Sequence, residues 1–554
     1  MQLRKRGDDI VDSLQNFSFE NTPQQVKASE KQVQNSAGGF TFELDDKARL
    51  RRFLILGVEG GTFYANARHL AFDNVQILQR MAVNDPVTLV DTIVDVSVSG
   101  AASKQQPALF ALAFAASVPQ SSQAALAALS RVARTGSALL QFVSYVEKFR
   151  GWGRGLRRAV GSWYSTKRAD DLAYQVVKYR NRGGWSHRDL LRLAHPSTSD
   201  ESLRATFDWI VRGSSSTSFS DSTGDTSSEN IPTIIEGFAK ASHATTSSEW
   251  AALVRGYGLS WEMLPDAALN EPDVWAALLD TDVPQTALIR QLPRLTRLGL
   301  LPGLGGRTSD VVSQITDAER LRKARIHPVS VLSAQRTYAK GRSFQGTTEW
   351  EPTARISDAL DEAFYLSFGA VKPANKRTLL SLDVSASMHW PLGGTPLTAR
   401  DASAALSLVT LATESESMVL GFTTNSLTKG FLRDVVTPLD ISPRQRLDDV
   451  LDYIDGLPFG GTDCSLPMLY ALENSLEVDT FVIYTDNETW AGKMHPHQAL
   501  QRYRKESGID AKLVVAGMTA TKFSIANPDD AGMLDVVGFD AAVPNLISEF
   551  SRGF

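Results

Sequence analysis

Between residues 49 and 363 apolar positions recur every three to four residues, in short blocks separated by polar, Gly or Pro breaks. Such blocks cover residues 86–94, 108–115, 123–132, 157–163, 169–177 and 286–298, and a period near 3.6 predicts an amphipathic helix at each. Many short helices with no strand between them predict stacked helix pairs, an α-helical array of HEAT-like repeats. After Lys372-Pro-Ala-Asn the pattern changes. Residues 377–384 read as a continuous, mostly apolar run, as a buried parallel strand should. Further strands are predicted at 417–422, 480–485, 512–517 and 534–539, with helices at 398–413, 444–454, 465–476 and 495–505. This alternation predicts a doubly wound α/β domain with a parallel sheet.

Three segments follow: a polar Gln/Asn/Ser-rich arm over 1–30, expected to be disordered, a helical module over 31–372, and the α/β domain over 373–554. The Ser/Thr/Asp/Gly stretch 214–230 predicts a flexible loop. Leu300-Leu-Pro-Gly-Leu-Gly-Gly-Arg reads as a connector, because no Lys-Ser/Thr follows to make a phosphate loop.

Composition adds boundaries. A chain of 554 residues with 43% hydrophobic and 21% charged residues is globular and too long for one core. Its only cysteine, Cys464, excludes an intrachain disulfide and a Cys-based zinc cluster, and suits a reducing compartment. The basic start has no apolar segment behind it, and the longest apolar run, 108–118, is short of the roughly 18 residues a membrane span needs. A soluble, cytoplasmic protein is expected.

The net charge of −5 would argue against a nucleic-acid partner, but it conceals a division. From Thr378 onward 12 basic residues face 23 acidic ones, whereas the preceding 377 residues carry 45 basic and 39 acidic. Within 147–192 there are 12 basic and 4 acidic residues. Arg150, Arg154, Arg157, Arg158, Lys167, Arg168, Lys178, Arg180, Arg182, Arg188 and Arg192 alternate there with Trp152, Trp163, Tyr164, Tyr174, Tyr179, Trp185 and His187. Cations for phosphates beside flat rings for bases are the ingredients of single-strand and loop RNA binding. Trp152 and Trp163 are expected in the core, with the arginines facing RNA. Lys104, Arg131, Arg134, Arg290, Arg294 and Arg297 form a second tier. The last three are spaced to share one helix face, although Pro293 puts that helix's straightness in question.

In an open parallel sheet, ligands sit beyond the carboxyl ends of the strands. Asp383-Val-Ser-Ala-Ser ends the first strand, Phe459-Gly-Gly-Thr-Asp precedes a helix, and Tyr484-Thr-Asp-Asn-Glu ends a later strand. Asp383, Ser385, Ser387, Thr462 and Asp486 would then converge as an oxygen-only shell suited to Mg²⁺ or Mn²⁺. His389, His495 and His497 are read as surface residues. No nucleophile elbow, His-Glu-x-x-His or Walker loop is present, so a hydrolase is disfavoured against a binding protein or a metal-dependent protein-interaction module.

Asp383-x-Ser-x-Ser with Thr462 and Asp486 resembles the metal-ion-dependent adhesion site of von Willebrand factor A domains. Upstream, Arg52-Phe-Leu-Ile-Leu-Gly-Val-Glu-Gly-Gly-Thr-Phe-Tyr, Gly151-Trp-Gly-Arg-Gly-Leu-Arg-Arg-Ala, Lys178-Tyr-Arg-Asn-Arg-Gly-Gly-Trp-Ser-His-Arg-Asp-Leu-Leu-Arg and Lys323-Ala-Arg-Ile-His-Pro resemble the Ro 60 kDa autoantigen family, its bacterial members above all. The resemblance runs from about Lys31 to the C-terminus. It implies a monomeric ring of HEAT-like repeats (the TROVE module) closed by the A domain. It also implies Y RNA on the outer surface, 3′ single-stranded ends of misfolded noncoding RNAs in the central hole, and a scaffolding role in RNA quality control or processing without catalysis. An RNA-tethered association with polynucleotide phosphorylase is the bacterial precedent, and an RNA contact for His187 follows from the family pattern.

Overall fold

The computed structural model describes residues 21–57, 67–212, 230–281, 283–344, 346–369, 371–392, 396–428, 431–443, 445–457, 460–538 and 542–553. They form two compact units, one containing the described residues of 46–57 and 71–369, the other those of 21–45, 67–70 and 371–553. Residues 214–229 of the predicted loop 214–230 and the first 20 residues of the predicted arm lie outside the described residues.

Chain order begins with β1 (Gln32–Gln34) and β2 (Phe40–Glu43), an antiparallel pair. Helices follow, from Asp46–Leu56 to Ala354–Leu366. The predicted blocks become Pro86–Ser99, Gln106–Ser117, Pro119–Ala127 with Leu129–Val132, Arg154–Ser165, Ala169–Lys178 and Gln285–Arg297. Local chemistry explains their ends. Asp85 accepts a hydrogen bond from the Thr88 N–H, Pro86 occupies the first turn, and Gly100 stops the helix in the left-handed conformation at φ 82°. Pro293 is carried inside Gln285–Arg297, which continues as one helix because Leu288, Ile289, Leu292 and Leu295 are buried along one side.

The strands described in this unit are a two-residue ribbon, β3 (Asn181–Arg182) with β4 (Trp185–Ser186). Gly183 and Gly184, both at positive φ, make its turn. The array also returns on itself. Arg325 donates to the Val98 carbonyl at 2.7 Å, and the His327 ring lies 3.3 Å from the Ala101 carbonyl.

In the second unit β5 (Thr378–Asp383), β6 (Ser417–Thr428), β7 (Phe431–Leu439), β8 (Thr480–Thr485), β9 (Lys512–Gly517) and β11 (Met533–Val537) form a six-stranded sheet in the order β11-β9-β8-β5-β6-β7. Every neighbouring pair is parallel except β6 with β7. The central strands β5 and β8 are buried at every position, as their apolar runs require. The helix Ala399–Thr413 is buried along most of its length and packs against β5.

β7 lies beyond the sequence expectation. An antiparallel edge strand needs only one buried face, so its sequence lacks a continuous apolar run. The short β10 (Phe523–Ser524) joins β2 in a second, three-stranded sheet.

Residues 21–30 correct the expectation of a disordered arm, and residues 31–45 group with the α/β unit rather than the helical one. Hydrogen bonding holds residues 21–30, where Gln24 is the buried side chain, and Phe42 adds apolar burial further along. Gln24, fully buried, donates to Asp463 at 2.7 Å and to the Met494 carbonyl at 2.8 Å, and accepts from Thr489 at 2.6 Å.

Candidate metal site and basic surface

The carboxyl ends of β5 and β8 and the loop before the helix Leu466–Glu473 bring the five predicted oxygen ligands into one buried cluster. Asp383, Ser385, Ser387, Thr462 and Asp486 are each at most 3% exposed. The Ser385 N–H donates to Asp383 Oδ1 at 2.9 Å, and the Ser385 and Ser387 hydroxyls are 3.0 Å apart. The loop is tied to the first strand's end by the Ala386 N–H, which donates to the Gly460 carbonyl at 3.2 Å. Two supporting groups escape sequence reading although both flank Asp486. Thr485 donates its hydroxyl to Asp383 Oδ2 at 2.7 Å, and the Glu488 N–H donates to Asp486 Oδ1 at 3.0 Å.

Burial raises the carboxyl pKa of Asp383, against the hydrogen bonds from Ser385 and Thr485. Burial, then the neighbouring Asp383 charge, pushes Asp486 up to about 7. Thr462 Oγ1 is buried with no hydrogen-bond partner among the described residues, an orphaned oxygen of the kind that needs an explanation. Among the described residues no group of three or more His, Cys, Asp or Glu side chains is placed to hold a metal ion. Two penalised carboxylates and three hydroxyls fit a small hard cation, with no soft donor in the set.

Three histidines behave differently from one another. His389 is exposed, as expected. His495 and His497 are buried, correcting their assignment to the surface. The His495 ring lies 2.8 Å from the Val26 carbonyl and 3.2 Å from Gln32 Nε2, and His497 packs edge-on against Phe42. The N-terminal segment thus covers both.

In the helical unit the basic residues divide by surroundings. Arg154, Arg157 and Arg158 are exposed at the start of Arg154–Ser165, and their i, i+3, i+4 spacing puts them on one face. The helix His187–Ala194 packs against it and exposes Arg188 and Arg192. None of these five has an acidic partner among the described residues. Arg131, Arg182, Arg290 and Arg297 are exposed too. Arg168 is exposed and lies 3.5 Å from Asp171.

The others are engaged. Arg150 donates to the Ala116 carbonyl at 2.6 Å and to Ser122 at 3.0 Å, and Arg134 donates to Ser97 at 3.1 Å. Lys178 is 3.4 Å from Glu262 and lies over the Tyr174 and Tyr179 rings. Lys167 covers the Trp163 ring at 4.2 Å, Arg180 lies over Phe238, and Arg294 lies over Trp275. Lys104 is half-buried.

His187 is a correction. It is 2% exposed, its Nδ1 lies 2.7 Å from the Tyr164 hydroxyl, and its ring stacks on Trp163. Burial holds its pKa at about 4, so it is a neutral core residue and not a surface donor to phosphate. The neighbouring Ser186–Asp189 capping box places the helix start, and the apolar face of that helix draws the ring inward. Trp163 is core, as expected, but Trp152 is only half-buried, tilted against Trp185 with ring centroids 5.7 Å apart.

Comparison with known proteins gives this arrangement its relatives. The TROVE domain model matches residues 33–376, and the Ro60 vWA domain model matches 377–551. The chain is 41% identical to the RNA-binding protein RO60 of Deinococcus radiodurans, over 96% of this chain and 98% of that one. It is 33% identical to the RNA-binding protein RO60 of Caenorhabditis elegans, over 98% of this chain and 94% of the relative. The crystal structure of the Deinococcus radiodurans RO (RSR) protein superposes with a TM-score of 0.68, covering 92% of this chain and all of the other. A helical TROVE domain followed by a vWA domain with a mixed, mainly parallel sheet, and relatives of this identity over nearly the full length, make the chain a member of the Ro60 family, of the bacterial type.

Proposed function

We propose that this chain binds RNA through the basic surface of its helical unit and acts without catalysis, as a scaffold in noncoding RNA quality control or processing. The carrying observation is the pair of packed helices Arg154–Ser165 and His187–Ala194, which expose Arg154, Arg157, Arg158, Arg188 and Arg192 with no acidic partner among the described residues. Guanidinium groups on a rigid, aromatic-backed face suit phosphates of a folded RNA. The names of the relatives, RNA-binding proteins both, support the same reading.

In finer detail, a small structured RNA of the Y RNA kind occupies that face. The 3′ single-stranded end of a misfolded noncoding RNA meets the second basic stripe, Arg290, Arg294 and Arg297. An exoribonuclease such as polynucleotide phosphorylase is brought in through the RNA, in the cytoplasm. The protein acts as a monomer with a closed helical ring.

Asp383, Ser385, Ser387, Thr462 and Asp486 hold Mg²⁺ or Mn²⁺. A cation held there would attract a carboxylate of a protein partner, which would give the vWA domain a separate protein-binding role. The orphaned Thr462 hydroxyl and the raised Asp383 and Asp486 favour this second, compatible reading.

Sequencing the RNA that copurifies with the full chain tests the first reading. Enrichment of structured small RNA over a control protein of matched basic charge is the expected result. An RNA profile identical to the control overturns it.

A further inference from the structure

A pocket of about 450 Å³ opens between the end of Arg154–Ser165 and the start of Ala169–Lys178, lined by Thr166, Lys167, Arg168, Asp171, Tyr174 and Gln175. Its volume lies within the range of small-ligand sites, and its lining is neither all basic nor apolar. Two cations, one carboxylate, one phenol ring, one amide and one hydroxyl meet there. A solvated basic face would need none of the last four.

Each group is available. Lys167 is held in place over the Trp163 ring at 4.2 Å. Arg168 and Asp171 lie 3.5 Å apart with side chains 77% and 65% exposed, a loose pair that can exchange partners at little cost. Gln175 anchors the wall by accepting from the Gly136 N–H at 2.9 Å. Tyr174 is half-buried, and its hydroxyl accepts a long hydrogen bond of 3.5 Å from Lys178, which fixes the ring.

We infer that this pocket receives one unstacked nucleotide of the bound RNA, its phosphate on Lys167 and Arg168, its base against Tyr174, and its base edge read by Asp171. A carboxylate accepts two parallel hydrogen bonds from the adjacent N1–H and exocyclic amino group of guanine, so guanine is preferred. Adenine, cytosine and uracil each offer this carboxylate fewer neighbouring donors on the same edge. The inference rests on the RNA-binding reading and deepens it. The exposed arginines position the RNA backbone, and the pocket adds a base-dependent contact.

The test uses the full chain and fluorescein-labelled RNA stems, one fully paired and four carrying a single bulged G, A, C or U, with anisotropy as the readout. The bulged-G stem should bind on the order of tenfold more tightly than the paired stem. Tyr174→Ala should remove that advantage and Tyr174→Phe should keep it. Asp171→Asn, an exposed change that leaves the fold intact, should erase the preference for G over U while keeping the advantage of a bulge. Equal binding of paired and bulged stems by the wild-type chain overturns the pocket and leaves RNA binding standing. Failure of every stem to bind above an acidic polysaccharide overturns both.

Discussion

Arg154, Arg157, Arg158, Arg188 and Arg192 stand in solvent on the helical unit, whereas Asp383 and Asp486 in the α/β unit are both at most 1% exposed. The two placements make different physical demands. An exposed cation without a partner is already solvated and is stable as it stands; its energetic use lies in neutralising phosphate and releasing counterions. A buried carboxylate beside another carboxylate is penalised by desolvation and by its neighbour, and only a proton or a cation relieves it. The sequence-wide charge of −5 is the sum of these two solutions.

The largest effect expected from breaking this division is at the candidate metal site. Asp383→Ala should abolish Mg²⁺ binding by calorimetry while leaving RNA affinity within about twofold, as sites with no shared side chains act independently. Loss of both together would mean that the two units are not separate in function.

The next contrast is in pH, where only the α/β unit should loosen toward base. His187 and His327 are held at about 4, below their unfolded value, because burial disfavours the charged ring. Their contribution to stability is complete above the unfolded pKa near 6.5 and is lost as pH falls through that value toward 4. Each is worth roughly 3 kcal/mol at most, from about 1.4 kcal/mol per unit. Asp486 and Glu488 are raised, to about 7 and about 8, chiefly by burial. Stability from these carboxyls is complete below their unfolded pKa near 4 and is lost as pH rises from there through neutrality. Buried His497 is also held at about 4, so hydrogen exchange in a chelator should show both units loosening toward acid and only the α/β unit loosening as pH rises through neutrality, with Mg²⁺ reversing that last change. Loosening of the helical unit as pH rises through neutrality, or an α/β unit indifferent to that rise, would contradict the assignment of these shifts.

A smaller effect concerns the N-terminal segment. Gln24→Ala leaves Asp463, the Met494 carbonyl and the Thr489 hydroxyl short of a buried partner, at about 1–3 kcal/mol. Urea unfolding should register this loss, and an unchanged midpoint would show that water replaces the amide.

The contrast between the units also explains what sequence reading can see. β5, β8 and β9 are buried on both faces, so they appear as apolar runs, and the candidate ligands beyond the ends of β5 and β8 follow from topology. β7, as an antiparallel edge, carries no such run. The docking of residues 21–45 depends on polar groups such as Gln24 and Asn35, whose amide donates to the Thr489 carbonyl at 2.7 Å. Sequence gives polar residues the same appearance whether they are solvated or satisfied inside.

His187 escapes sequence reading for the same reason. Its position at a helix start among arginines suggests exposure, and only the packing of Trp163 and Tyr164 around it shows otherwise. The return of the helical array through Arg325 and Val98 spans 227 residues, and no local pattern encodes a contact of that range.

The central claim, that RNA is held by exposed charge on the helical unit and independently of the buried carboxylates, is tested most directly by salt dependence. RNA affinity of the full chain would be measured against salt concentration, with and without Mg²⁺, for the wild type and for the combined change Arg154→Gln, Arg157→Gln and Arg158→Gln. The slope of log affinity against log salt should fall by about 2–3 in the variant, at roughly 0.7–0.9 for each phosphate no longer neutralised. Mg²⁺ competes for the RNA phosphates and lowers both slopes, so variant and wild type are compared at the same Mg²⁺ concentration. A variant slope equal to that of the wild type in the absence of Mg²⁺ would contradict the account.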